Sequence, residues 1–182
     1  MKLSLPLRTL LAITSSLLAA CGDTGEKTAD VPATVPPHPA IAAVLTETAP
    51  AGAVSVLEVR KSAKPGDSLV VEGVIAGTMA PFAEGYASLV LGDITMATCD
   101  KNPGESCPTP WDACCADPDV LKGMRLTLQI PDAEGRPVAQ SLKGVSGLKE
   151  LDHLVVSGTV TGDSTLENVV VNVTRLHRLA KP

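Results

Sequence analysis

Residues 124–130, Met-Arg-Leu-Thr-Leu-Gln-Ile, alternate strictly: Met124, Leu126, Leu128 and Ile130 are apolar, with Arg125, Thr127 and Gln129 between them. A period of two places successive side chains on opposite faces of an extended chain, so this segment reads as a strand with one dry face. Leu69, Val71, Gly73 and Ile75 share one face of a second strand, with Val70, Glu72 and Val74 on the other. Tyr86 to Leu91, a short piece near Val138, Leu154 to Val160 and Val169 to Val173 complete the set. Turn chemistry separates them at Pro65-Gly66-Asp67, Gly92-Asp93, Pro131-Asp132-Ala133-Glu134-Gly135 and Thr161-Gly162-Asp163. Only Val54 to Lys64 is ambiguous, because Val56, Val59 and Arg60 fit a helical face while Val54-Val56 and Leu57-Val59 alternate. With one Phe, one Tyr and one Trp in 182 residues, the core must be aliphatic, and the Val-rich runs favour strands.

These features predict an all-β domain over residues 53–182: a small barrel of five or six strands, a long cysteine-rich loop at 94–122, and at most one short helix. Gly73 and Gly158 lie inside strands, where a barrel bends. The order of elements resembles an OB-fold. A Gly-containing first strand (Leu69 to Ala76) precedes one ending in Leu91-Gly92-Asp93, and an irregular insertion leads to Met124–Ile130. Last comes Leu148-Lys149-Glu150-Leu151-Asp152 before Val155-Val156-Ser157-Gly158-Thr159-Val160, a phrase similar to one in bacterial OB domains. The resemblance spans roughly Val54 to Leu179.

The N-terminus carries a different message. Lys2 and Arg8 are followed by an apolar stretch, Leu10 to Ala20, too short to span a bilayer and flanked like a secretory signal. Leu18-Ala19-Ala20-Cys21 resembles the lipobox of bacterial lipoproteins. That resemblance implies a signal peptide over 1–20, cleavage before Cys21, and acyl chains (palmitate among them) on Cys21 as a membrane anchor. Gly22, where an Asp would favour inner-membrane retention, implies an outer-membrane lipoprotein facing the periplasm in a bacterium with two membranes. Residues 21–52 then form the tether. They are rich in Pro, Ala and Thr, show no apolar periodicity, and read as a semi-rigid spacer with a solvated His38.

The whole chain has a net charge of −5, and removing Lys2 and Arg8 leaves 13 basic against 20 acidic residues, a charge near −7. Such a surface gains nothing from phosphate backbones, so nucleic acid is not an expected partner. Single-strand binding is suggested only by the OB pattern, with Phe82 and Tyr86 as the available stacking aromatics.

The most distinctive segment runs from Cys99 through Cys107-Pro108-Thr109-Pro110-Trp111-Asp112-Ala113-Cys114-Cys115. It resembles a T-P-W-D-x-C-C phrase of uncharacterised secreted proteins of planctomycetes, which implies no activity. In an exported protein, four cysteines are expected to form two disulfides. A Cys114–Cys115 bond would close a strained small ring, which favours pairing each of these with Cys99 or Cys107. The competing reading is a thiolate site for copper or zinc on Cys99, Cys107, Cys114 and Cys115. Against it, adjacent cysteines are expected to point apart, and C-x7-C-x6-C-C is no standard zinc spacing. A redox dithiol would want a C-x-x-C at a helix start, which is absent. Trp111 reads as a loop anchor or, more sharply, a ligand contact beside Asp112. Asp93, Asp100 and Asp112 are candidates to converge on a cation, although aspartates in such loops more often cap turns.

No nucleophile elbow, phosphate loop or metalloprotease motif occurs, and His153 and His177 are the domain's only histidines. The expectation is a non-enzymatic envelope lipoprotein without a resident cofactor, whose barrel or loop binds an envelope protein or glycan. Metal binding by the cysteine loop is the alternative.

Overall fold

The computed structural model describes residues 36–102, 104 and 107–180. The signal segment, Cys21 and the tether up to residue 35 lie outside the described residues. Six strands form one sheet: β1 (Val54–Ser55), β2 (Ser68–Ile75), β3 (Ser88–Gly92), β4 (Arg125–Gln129), β5 (His153–Val160) and β6 (Val170–Arg178). Their order is β1-β2-β3-β4-β6-β5, and β2 pairs again with β5. That second pairing closes the sheet into a five-stranded barrel with β1 as an extra strand. Neighbours are antiparallel except β4 with β6 and β1 with β2, which run parallel. This is an OB-like barrel, as the strand pattern predicts.

Alternation decides the interior. Leu126, Leu128 and Ile130 from β4 and its end meet Leu89 and Leu91 of β3, Val71 and Ile75 of β2, Leu154, Val156 and Val160 of β5, and Val171, Val173 and Leu176 of β6. Two strand glycines permit closure. A Cβ on Gly73 would lie 2.5 Å from the Gly92 carbonyl oxygen and 2.7 Å from Leu91 Cγ. One on Gly158 would lie 2.5 Å from both the Asn172 oxygen and Val171 Cγ1. At Gly158 the β5–β6 register also slips, skipping Thr174. Both are positions where another backbone passes too close for any side chain.

The ambiguous segment resolves mostly as helix. Ser55 caps α2 (Val56–Ser62): its hydroxyl accepts from Glu58 N (3.2 Å) and Glu58 Oε2 accepts from Ser55 N (3.1 Å), a capping box. Val56 and Val59 are buried, and the helix packs on β2 and β4. Two shorter helical turns flank it among the described residues, α1 (Pro39–Val44) and α3 (Pro118–Lys122). None of the described helices is long and apolar enough to cross a membrane.

The ordered unit starts earlier than residue 53. Pro39 opens α1, where its missing N–H costs nothing, and His38 caps it by accepting from Ala40 N (3.2 Å). His38 N also donates to Gln140 Oε1 (2.6 Å). Ile41 and Val44 enter the barrel core, and Thr46 N donates to Leu176 O (2.9 Å). Residues 36–52 therefore belong to the domain. Near Val138 there is no strand, only an isolated bridge between Pro131 and Pro137.

Truncating a fully buried Ile leaves a cavity, so Ile41→Ala is expected to cost about 2–5 kcal/mol. Ala43→Ser, on the exposed face of the same helix, is expected to change stability by less than about 0.5 kcal/mol. Urea midpoints of the two variants check this. Equal midpoints would mean that α1 contributes nothing.

Candidate metal centre

β3 ends at Gly92, and the chain turns into the cysteine loop at Asp93. This carboxylate is fully buried. Its Oδ1 accepts from Thr95 N (2.9 Å) and Thr95 Oγ1 (2.6 Å), and its Oδ2 from Leu57 N (2.9 Å) in the first turn of α2. Burial opposes the charge. The Thr95 hydroxyl, the Leu57 and Thr95 amides and nearby Lys101 outweigh it, so the carboxyl sits below its usual range. Lys101 is itself held by the Ile94 and Met96 carbonyls (2.7 and 2.9 Å).

The two arms of the loop are zipped by backbone. Cys99 N donates to Asp112 O (2.8 Å), Asp100 N to Pro110 O (2.9 Å), and Gly77 N to Trp111 O (2.8 Å). Outside the barrel, a second apolar cluster of Val74, Ala76, Met96, Ala113 and Leu121 supports them, with Trp111, Ala116, Met124 and Leu151 packed against it. Trp111 is half-buried there and donates Nε1–H to Met79 O (3.0 Å). It is an anchor of the loop.

This scaffold gathers the thiols. Cys99 Sγ lies 3.6 Å from Cys114 Sγ, and Cys114 Sγ lies 3.8 Å from Cys115 Sγ. The sulfurs of Cys99, Cys114 and Cys115 all fall within 4.8 Å of one another. Contrary to the expectation that adjacent cysteines point apart, Cys114 and Cys115 point together, because neither lies in a strand that would impose alternation. Cys107 lies nearby but outside this trio. Its sulfur meets Thr109 Oγ1 and Thr109 O, both at 3.5 Å. The Cys99–Cys114 and Cys114–Cys115 separations far exceed the ~2.0 Å of a disulfide. Cys99 is 3% exposed, whereas Cys114 and Cys115 face solvent. Burial and the neighbouring Cys114 and Cys107 thiols push Cys99 up to about 12, while the Thr109 hydroxyl and backbone hold Cys107 below the ordinary thiol range.

The other candidates separate from this centre. Among the described residues the cysteine trio is the one group of three with metal-ligand reach, so Asp93, Asp100 and Asp112 do not converge. Asp112 Oδ1 accepts from Ala113 N (2.8 Å), a turn cap. Phe82 is buried in the barrel core and cannot stack on a ligand, whereas Tyr86 is 55% exposed. His177 Nδ1 pairs with Thr46 O (2.9 Å), and His153 is exposed at the start of β5. Sequence reasoning missed the second apolar cluster, since Met96, Ala113 and Leu121 follow no regular period.

Because the folded state lowers the Asp93 pKa, its contribution is present above the unfolded value of about 3.9 and is lost as pH falls through the lower folded value. Asp93→Asn keeps the shape but loses charge-assisted acceptance, and is expected to cost about 1–3 kcal/mol at neutral pH. The gap to wild type in urea midpoint should narrow below about pH 4. A gap independent of pH would remove the charge from the account.

Compared with models of known families, with curated proteins and with solved structures, the chain matches none.

Proposed function

We propose that this chain is a lipid-anchored envelope protein whose barrel displays a cysteine site, centred on Cys99, Cys114 and Cys115, for a thiophilic ion such as Zn(II) or Cu(I). One observation carries the metal reading. Zinc–thiolate bonds of ~2.3 Å set sulfur–sulfur edges of about 3.8 Å in a tetrahedron. The separations of 3.6 and 3.8 Å among Cys99, Cys114 and Cys115 match such edges. Cys107 neighbours the trio and is the candidate for the fourth vertex. A single Cys99–Cys114 disulfide would use two sulfurs and leave the clustering of the others unexplained.

The anchor rests on the lipobox-like Leu18-Ala19-Ala20-Cys21, and the non-enzymatic reading on the sequence carrying no nucleophile elbow, phosphate loop or metalloprotease motif. A polar row on the barrel supports the reading of an envelope glycan or protein as partner. Ser88, Gln129, Asn172 and Thr159 are successive cross-strand partners on β3, β4, β6 and β5, and form an uncharged, half-exposed polar row. Its lack of basic side chains speaks against single-stranded nucleic acid.

The test uses the full chain with Cys21→Ser, reduced and handled without oxygen. One zinc per chain is expected, together with protection of Cys99, Cys107, Cys114 and Cys115 from alkylation, both lost in Cys99→Ser. Four reduced thiols that retain no metal would overturn the assignment. So would two disulfides in protein taken directly from cells.

A further inference from the structure

Resting on the metal reading above, we infer that the site is a transfer site, one that takes up and hands on a thiophilic ion, rather than a structural clamp. A structural zinc contributes folding energy outright, because its ligands have nothing else to hold them together. Here the loop is already held. Backbone bonds join Cys99 to Asp112, Asp100 to Pro110 and Gly77 to Trp111. Lys101 ties the first arm to two carbonyls, and Trp111 Nε1 ties the second arm to Met79. The apolar cluster around Met96, Ala113 and Leu121 fills the space beneath. None of these contacts passes through a cysteine thiol.

Exposure points the same way. Cys99 is buried at the inner vertex, whereas Cys114 and Cys115 open to solvent on the outer side. An acceptor thiol can therefore reach an ion from outside while Cys99 still holds it. The step is ligand exchange without redox change. The incoming thiol gives its proton to water, and its sulfur–metal bond forms as the Cys115–metal bond breaks. The released Cys115 thiolate then takes a proton from water. Repeating this at the remaining cysteines moves the ion to the acceptor.

The experiment uses the same full chain with Cys21→Ser, loaded with zinc or stripped by a chelator, and reads two quantities. The first is amide hydrogen exchange at Gly77, Cys99 and Asp100. Protection in the zinc-free protein is expected to stay within about tenfold of the loaded protein. Collapse of that protection on zinc removal would overturn the inference and make the ion structural. The second is zinc transfer to a chromophoric chelator in the presence of glutathione. The rate is expected to rise in proportion to thiol concentration, and to rise further in Cys115→Ser, which lacks one outer ligand. A slow rate independent of thiol would also overturn the inference. In both of those outcomes zinc still binds. A chain that binds no zinc at all would instead sink the metal reading itself.

Discussion

Everything in this molecule depends on one strand, β2, pairing with both β3 and β5 of the barrel. β2 pairs with β5 along residues 68–74 and with β3 only at Val74 and Ile75. The two pairings overlap at Val74, and Gly73 is where the β3 backbone comes too near for a side chain. Closing the barrel removes the free strand edges that an open sheet would present to other chains. It also encloses a core made almost wholly of Val, Leu and Ile. These branched side chains suit a pleated surface and pack without aromatic bulk.

The cysteine loop inherits its position from that closure. Val74 near the end of β2 and Ala76 just beyond it enter the second apolar cluster. Asp93 fixes the start of the loop to the first turn of α2, and α2 is itself seated on β2 and β4. A buried carboxylate with three donors is both a strong link and a demanding one. Its donors favour the charged form over the protonated one. The thiols are thus held on a framework set by the barrel.

The strands were legible because alternation is a local signal that the barrel does not override. Leu126, Leu128 and Ile130 are buried where the pattern puts them, and Gly73 and Gly158 mark real close approaches. The N-terminal boundary was not legible. Pro36, Pro37 and Pro39 read as spacer, yet Pro39 is also an ideal first helical residue, and Ile41 and Val44 are too few to show a period. The loop was legible as a segment of four cysteines and a Trp, but not as a geometry. Irregular backbone carries no rule for side-chain direction, so the convergence of Cys114 with Cys115 depends on contacts made by Ala113 and Asp112. Phe82 was misread because a lone aromatic between short strands gives no sign of which face it takes.

The scarcity of aromatics has an optical consequence. Trp111 is the single indole in the chain, and it sits on the cluster outside the barrel. Its intrinsic emission therefore responds to the loop and is nearly blind to the barrel, whose core holds one aromatic, Phe82. Backbone dichroism, dominated by the strands, responds to the barrel. The two parts of this fold are thus spectroscopically separable without any label, and unfolding of the loop apart from the barrel would show itself as two transitions in two kinds of light.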